Sequence, residues 1–161
     1  NGIGEQWMPL IYTTGDHELF SDRYGVPELQ KVLQFFTFDE ENPNSILSCL
    51  RSARENARTV REMISSPMWE ELNKFYLMVR GASTGRGALE TPLDFYHDVR
   101  MASHLLQGLT DATMSHNEAY HFTRLGRLLE RADKTSRILD VKYFLLLPTL
   151  SDVGTPIDTI Q

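Results

Sequence analysis

Two segments place charge beside an apolar seam at spacings that could hold an anion. In the first, Ile46, Leu50, Ala53, Ala57, Val60 and Ile64 alternate steps of four and three, and Arg51, Arg54, Arg58 and Arg61 each follow a seam residue by one position. On a helix this sets the arginines in a stripe about 100° round from the apolar face. The second segment carries Arg124, Arg127, Arg131 and Lys134 at the same increments, interleaved with Glu130 and Asp133. The middle of each seam is small, Ala53 and Ala57 in one and Ala132 and Ser136 in the other, so a facing backbone could approach closely and bring the charges together at a narrow waist. On that reading Arg54, Glu55, Arg58, Arg127, Glu130, Arg131, Asp133 and Arg137 form a partly buried ion-pair network, or a seat for a carboxylate or phosphate gripped bidentately by arginine. The plainer reading is a pair of solvated faces with i,i+3 and i,i+4 pairs, such as Arg127 with Glu130 and Asp133 with Arg137, each worth a few tenths of a kcal/mol.

Other chemistry is poorly supported. Glu118 and His121 match half of a helical di-iron motif, but the second Glu-x-x-His is missing, so no metal is expected. His97 and His104 stand seven apart, too far for joint ligation along a helix. No nucleophile elbow marks a Ser-His-Asp set, so no catalytic residue is assigned. Gly81 to Gly87 lacks the Lys-Ser/Thr ending of a phosphate-binding loop and reads as a flexible inter-helix connection, which leaves no cofactor. Cys49, between Leu47 and Leu50, reads as a buried small apolar residue.

The elements that must position these residues are all helices. Pieces over Glu5 to Thr14, Asp16 to Tyr24 and Pro27 to Phe38 precede the Ser45 to Ser65 helix, which Asn44 or Ser45 can cap. Ser66 and Pro67 start the next, with Trp69, Leu72, Phe75, Tyr76 and Val79 on its inner face up to Gly81. Thr91, Pro92 and Asp94 open a third, with Phe95, Val99, Ala102, Leu106 and Leu109 repeating to about Met114. Ser115 with Glu118 is a capping box for the longest, whose seam runs through Phe122, Leu125, Leu129, Ala132, Ser136, Leu139, Tyr143 and Leu146 until Pro148. Nothing reads as a strand. The expected fold is an all-α bundle of about four to seven helices with short connections. Residues 1–161 read as one helical domain, with 148–161 a linker or the start of a further element.

A net charge of −6 argues against a nucleic-acid partner, which would need surplus Lys and Arg. No apolar run approaches the ~20 residues of a spanning helix, so no membrane is expected. The single cysteine suits a reducing compartment, and a cytoplasmic location follows. No signal peptide is visible at the start, and both ends read as internal.

Three strings carry a resemblance: SILSCLRSARENARTVREMIS (Ser45 to Ser65), DFYHDVRMASHLLQGLTDATM (Asp94 to Met114) and FTRLGRLLERADKTSRILDVKY (Phe122 to Tyr143). Together the chain resembles the bacterial alpha-E domain family of helical domains, with Glu130-Arg131 as its Glu-Arg motif. That family's domain is longer, so the chain resembles a central fragment, and exposed seam would favour a homodimer. The resemblance implies a bacterial cytoplasmic protein that accompanies an ATP-grasp type peptide or amide ligase and a transglutaminase-like protein. The leading expectation is a non-catalytic module docked on the ligase. The alternatives are an enzyme or substrate-binding subunit, in which Glu130 or Asp133 moves a proton while arginines hold an anionic amino acid or peptide, and a purely structural bundle.

Overall fold

In the computed structural model, residues 5–85 and 87–146 are described, and the chain divides into two units: Asn1–Glu28 with Leu125–Gln161, and Leu29–Arg124. Among the described residues there are eight α-helices and two 3-10 turns, and no strand. The family of all-helical folds is therefore as the periodicities require. The segment 148–161 lies outside the described residues.

In the first unit a 3-10 turn, Glu5–Trp7, runs into α1 (Met8–Thr14). Gly15 ends α1 at φ 80°, a left-handed position that a side chain rarely adopts, and its N–H returns to the carbonyls of Ile11 and Tyr12. That reversal lets α2 (His17–Tyr24) fold back on α1, with Ile11 and Phe20 buried.

In the second unit α3 (Leu29–Thr37), α4 (Ile46–Thr59), α5 (Ser66–Thr84), the one-turn α6 (Gly87–Glu90) and α7 (Pro92–Thr113) surround one core. The centre is α5, which packs on α4 along one side and α7 along the other. Leu72, Phe75 and Val79, one apolar face at steps of three and four, meet Leu47 and Leu50 of α4, Phe95 of α7 and Phe38 just after α3. The Phe38 and Phe95 rings lie 5.5 Å apart in a tilted contact.

The turn between α3 and α4 buries three polar residues, Asp39, Asn42 and Ser45, and each needs a partner. Asn42, fully buried, donates to the Phe35 carbonyl at 3.0 Å and accepts from the Asn44 N–H at 2.8 Å. Ser45 caps α4 by accepting from the Ser48 N–H at 3.1 Å. The Thr37 and Tyr96 hydroxyls, 2.6 Å apart, tie α3 to α7.

Several boundaries differ from the sequence reading. The helix expected to reach Ser65 stops at Thr59; Val60 leaves the helical region, and a 3-10 turn, Arg61–Met63, follows. Thr59 and Val60 are consecutive β-branched residues, Val60 is exposed, and Ser65 must be extended to cap α5 through the Met68 N–H. The expected flexible loop from Gly81 is helical to Thr84, because Ala82 packs on the core and the Ser83 and Thr84 hydroxyls bond back to the carbonyls of Arg80 and Gly81. Cys49 is exposed rather than buried, on the flank of α4 that faces away from Leu47 and Leu50, with its thiol 3.6 Å from the Pro43 carbonyl.

The long helix α8 (Glu118–Leu146) begins on Asn117, whose side chain accepts from the Tyr120 N–H at 3.3 Å, in place of the expected Ser115 cap. Its apolar seam is exposed: Leu125 by half, Leu129 and Leu139 by nearly two thirds. Truncating Phe75 to Ala is expected to cost about 3–5 kcal/mol in urea unfolding, whereas Leu93→Ala, at a site 84% exposed, should stay within about 0.5 kcal/mol.

Candidate functional site

The eight charged residues marked in the sequence fall into separate units: Arg54, Glu55 and Arg58 in the second, and Arg127, Glu130, Arg131, Asp133 and Arg137 in the first. Each group has its own geometry.

Beyond Leu50, α4 buries no apolar side chain, although Ala57 still touches the edge of the core. Arg54 does the holding there. Its guanidinium carbon lies 5.9 Å from the Trp69 ring centroid and 5.4 Å from that of Tyr76, both on α5. Its Nε donates to Asn73 Oδ1 at 2.6 Å, and Asn73 is aimed by its own donation to the Trp69 carbonyl at 2.7 Å. Glu55 accepts from Arg54 at 3.2 Å and from Arg58 at the same distance, so one carboxylate serves two arginines. Two more cations extend the ladder, Arg61 over Trp69 at 5.8 Å and Arg80 over Tyr76 at 5.8 Å. Arg51 turns away and pairs with Glu40 at 2.6 Å. The partners Trp69, Asn73 and Tyr76 sit at steps of four and three; the sequence reading placed Trp69 and Tyr76 on the inner face of α5 and did not single out Asn73.

In the first unit Arg137 occupies a comparable position. Its Nε donates to Asp133 Oδ2 at 2.8 Å, and Nη1 donates to the Thr13 carbonyl at 2.5 Å. Thr13 is in the last turn of α1, where carbonyls lack helical partners and the helix dipole favours a cation. The Asp133 carboxyl is held below the ordinary aspartate value, chiefly by the hydrogen bond from Arg137, with the positive charges of Arg137 and Lys134 adding to it against some desolvation. Arg137 is pushed up in turn, first by the bond to Asp133 and then by the charges of Asp133, Asp16 and Asp140. Both shifts lock in the charged forms, the opposite of what a proton carrier near neutral pH needs.

Glu130 and Arg131 differ from these clamps. Among the described residues, the exposed Glu130 pairs with Lys134, one turn on, at 3.2 Å, and the guanidinium of the exposed Arg131 has no partner. The half-buried Arg127 lies one turn before them. Among the described residues no three His, Cys, Asp or Glu side chains converge as a metal site, and no helix is long and apolar enough to cross a membrane.

A helical domain whose arginines clamp its helices and whose Glu-Arg pair stands in the open belongs to the class of all-α modules with a motif on the surface. The chain belongs to the Alpha-E family, described as a predicted alpha-helical domain with a conserved ER motif, which it matches over residues 3–161. No curated protein and no solved structure matches the chain.

Arg54→Ala should lower stability by about 1–2 kcal/mol, and Arg54→Lys should recover less than half of it, because an ammonium keeps the charge but loses the planar stack and the directed Nε bond. A carboxylate depressed in the folded state stabilises above its unfolded value and stops doing so as pH falls through the folded one, so the Asp133–Arg137 contact should be fully present at neutral pH and be lost only once the pH has fallen below the ordinary aspartate range. A carbon-detected NMR titration should place the Asp133 midpoint below that of a peptide aspartate, and Arg137→Gln should raise it.

Proposed function

We propose that the chain is a non-catalytic helical module of a bacterial cytoplasmic assembly, docking through Glu130 and Arg131 on an ATP-grasp type ligase that makes or modifies peptides, in the company of a transglutaminase-like protein. One observation carries the reading: Glu130-Arg131, the pair that the resemblance takes as the family's Glu-Arg motif, is exposed and belongs to no clamp. Exposed charges contribute little to folding, so a motif at this place is better accounted for by a partner that it contacts than by stability. Arg131 offers a planar set of donors to a carboxylate, and Glu130 offers an acceptor beside it. The charge-locking of Asp133 and Arg137 supports a binding role over a proton-transfer role for that part of α8. The link to the ligase comes from the family resemblance, and the cytoplasmic location from that resemblance together with the lone cysteine.

Tagged full-length protein purified from its native cells should retain an ATP-grasp type ligase, and Arg131→Ala or Glu130→Ala should release it. Neither substitution should move the melting temperature by more than about 2 °C, since both side chains are exposed. Retention of the ligase by both variants would sink the docking role. Loss of turnover in Glu130→Gln with the complex intact would point instead to the enzyme.

A further inference from the structure

Where α4 and its 3-10 turn meet α5, five side chains alternate cation and ring: Arg61, Trp69, Arg54, Tyr76 and Arg80, with each guanidinium carbon between 5.4 and 5.9 Å from the ring centroid beside it. Arg58 flanks the row with its side chain 70% exposed. Holding α4 uses only part of the hydrogen-bonding capacity gathered here. Arg54 spends Nε on Asn73 and Nη1 on Glu55, which leaves Nη2 without an acceptor among the described residues, and Arg61 donates to the Ile64 carbonyl and the Ser66 hydroxyl. Arg80 is exposed and, among the described residues, donates to nothing; its contact is with the Tyr76 ring. One carboxylate, Glu55, serves the four arginines: it pairs with Arg54 and Arg58, and among the described residues no acid pairs with Arg61 or Arg80. Glu62 and Glu70, on the same elements, are exposed and form no ion pair with any of them.

We propose that this row is a docking face for an acidic peptide segment, whose carboxylates occupy the unused guanidinium edges. A guanidinium held against a ring donates from its rim, and two parallel N–H groups of that rim match the two oxygens of a carboxylate. Ring contact also restricts the arginine before any partner arrives, so less side-chain freedom is lost on binding. The excess of positive charge is local, in a chain of net charge −6, and a partner of opposite charge is what such a patch selects. A single-stranded nucleic acid is also anionic, but it gains affinity by stacking bases on bare aromatic faces. Here Trp69 and Tyr76 each already carry two guanidinia. A small free anion could engage one rim at a time, whereas a peptide with several carboxylates engages neighbouring rims at once and gains from their linkage. The row belongs to the second unit and Glu130 and Arg131 to the first, so the two proposals stand or fall separately.

Fluorescence anisotropy of a labelled hexaglutamate peptide, titrated with the full chain at low salt, should show saturable binding that weakens as salt is added, and labelled hexaglutamine should not bind. The double substitution Arg58→Gln with Arg80→Gln should weaken hexaglutamate binding about tenfold and leave the thermal melt unchanged, because both side chains are exposed and Arg54, which holds α4, stays in place. Arg100→Gln, which removes an exposed arginine of α7 in the same unit, should bind as the wild type does. Absence of binding at low salt, a double variant that binds like the wild type, or an equal loss in Arg100→Gln overturns the proposal. So does a labelled oligothymidylate that binds as tightly as hexaglutamate or more tightly at the same salt, which would assign the row to nucleic acid instead.

Discussion

The guanidinium of Arg54 fills the place that an apolar side chain would fill elsewhere, since α4 has spent its buried leucines by its second turn and still needs two more turns to reach the start of α5. Stacking on Trp69 and Tyr76 and bonding to Asn73 carry the contact one turn beyond Leu50. Without it the helix that feeds α5 would be held over its first half only, and α5 needs packing on both sides because its buried face is shared between α4 and α7. The first unit repeats the device with Arg137, which closes the bare end of α1. In both cases an acidic residue on the same helix, Glu55 next to Arg54 and Asp133 one turn before Arg137, fixes the arginine's direction. Such arginines are held in place by planar geometry more than by charge, which is why lysine is a poor substitute.

The same helices show where a linear pattern stops being informative. Periodicity found the buried Leu72, Phe75 and Val79 of α5 but counted the half-buried Trp69 and Tyr76 with them, whereas Pro92 marked the start of α7 and Gly15 the end of α1, because proline and glycine act through local backbone chemistry. The end of α4 was not legible: its apolar spacing continues past Thr59, but no neighbour covers Val60 to reward a further turn. The exposed strip of α8 has the same cause, since spacing reveals which face is apolar and not whether anything lies on it. Of the charged cluster, the i,i+4 pair of Asp133 and Arg137 was visible because both partners lie on one helix. Thr13, Trp69, Asn73 and Tyr76 were not, because a backbone carbonyl and two half-buried rings leave no charge signal in a sequence.

Sorting the charges by what they touch leaves α8 with two outward-facing chemistries. Arg137 and Asp133 are committed to α1, and what remains is an apolar strip and, round the helix from it, Glu130 and Arg131.

The buried turn before α4 has a consequence for the lifetime of the molecule. Asparagine side chains age when the backbone nitrogen of the next residue attacks the side-chain carbonyl and closes a succinimide ring, releasing ammonia and later yielding aspartate or isoaspartate. Asn42 is followed by Pro43, whose nitrogen carries no hydrogen, so that ring closure is blocked. The buried amide of this turn is thereby shielded from the commonest spontaneous damage to its kind, while the exposed Asn44, followed by Ser45 with its backbone N–H, keeps that route open.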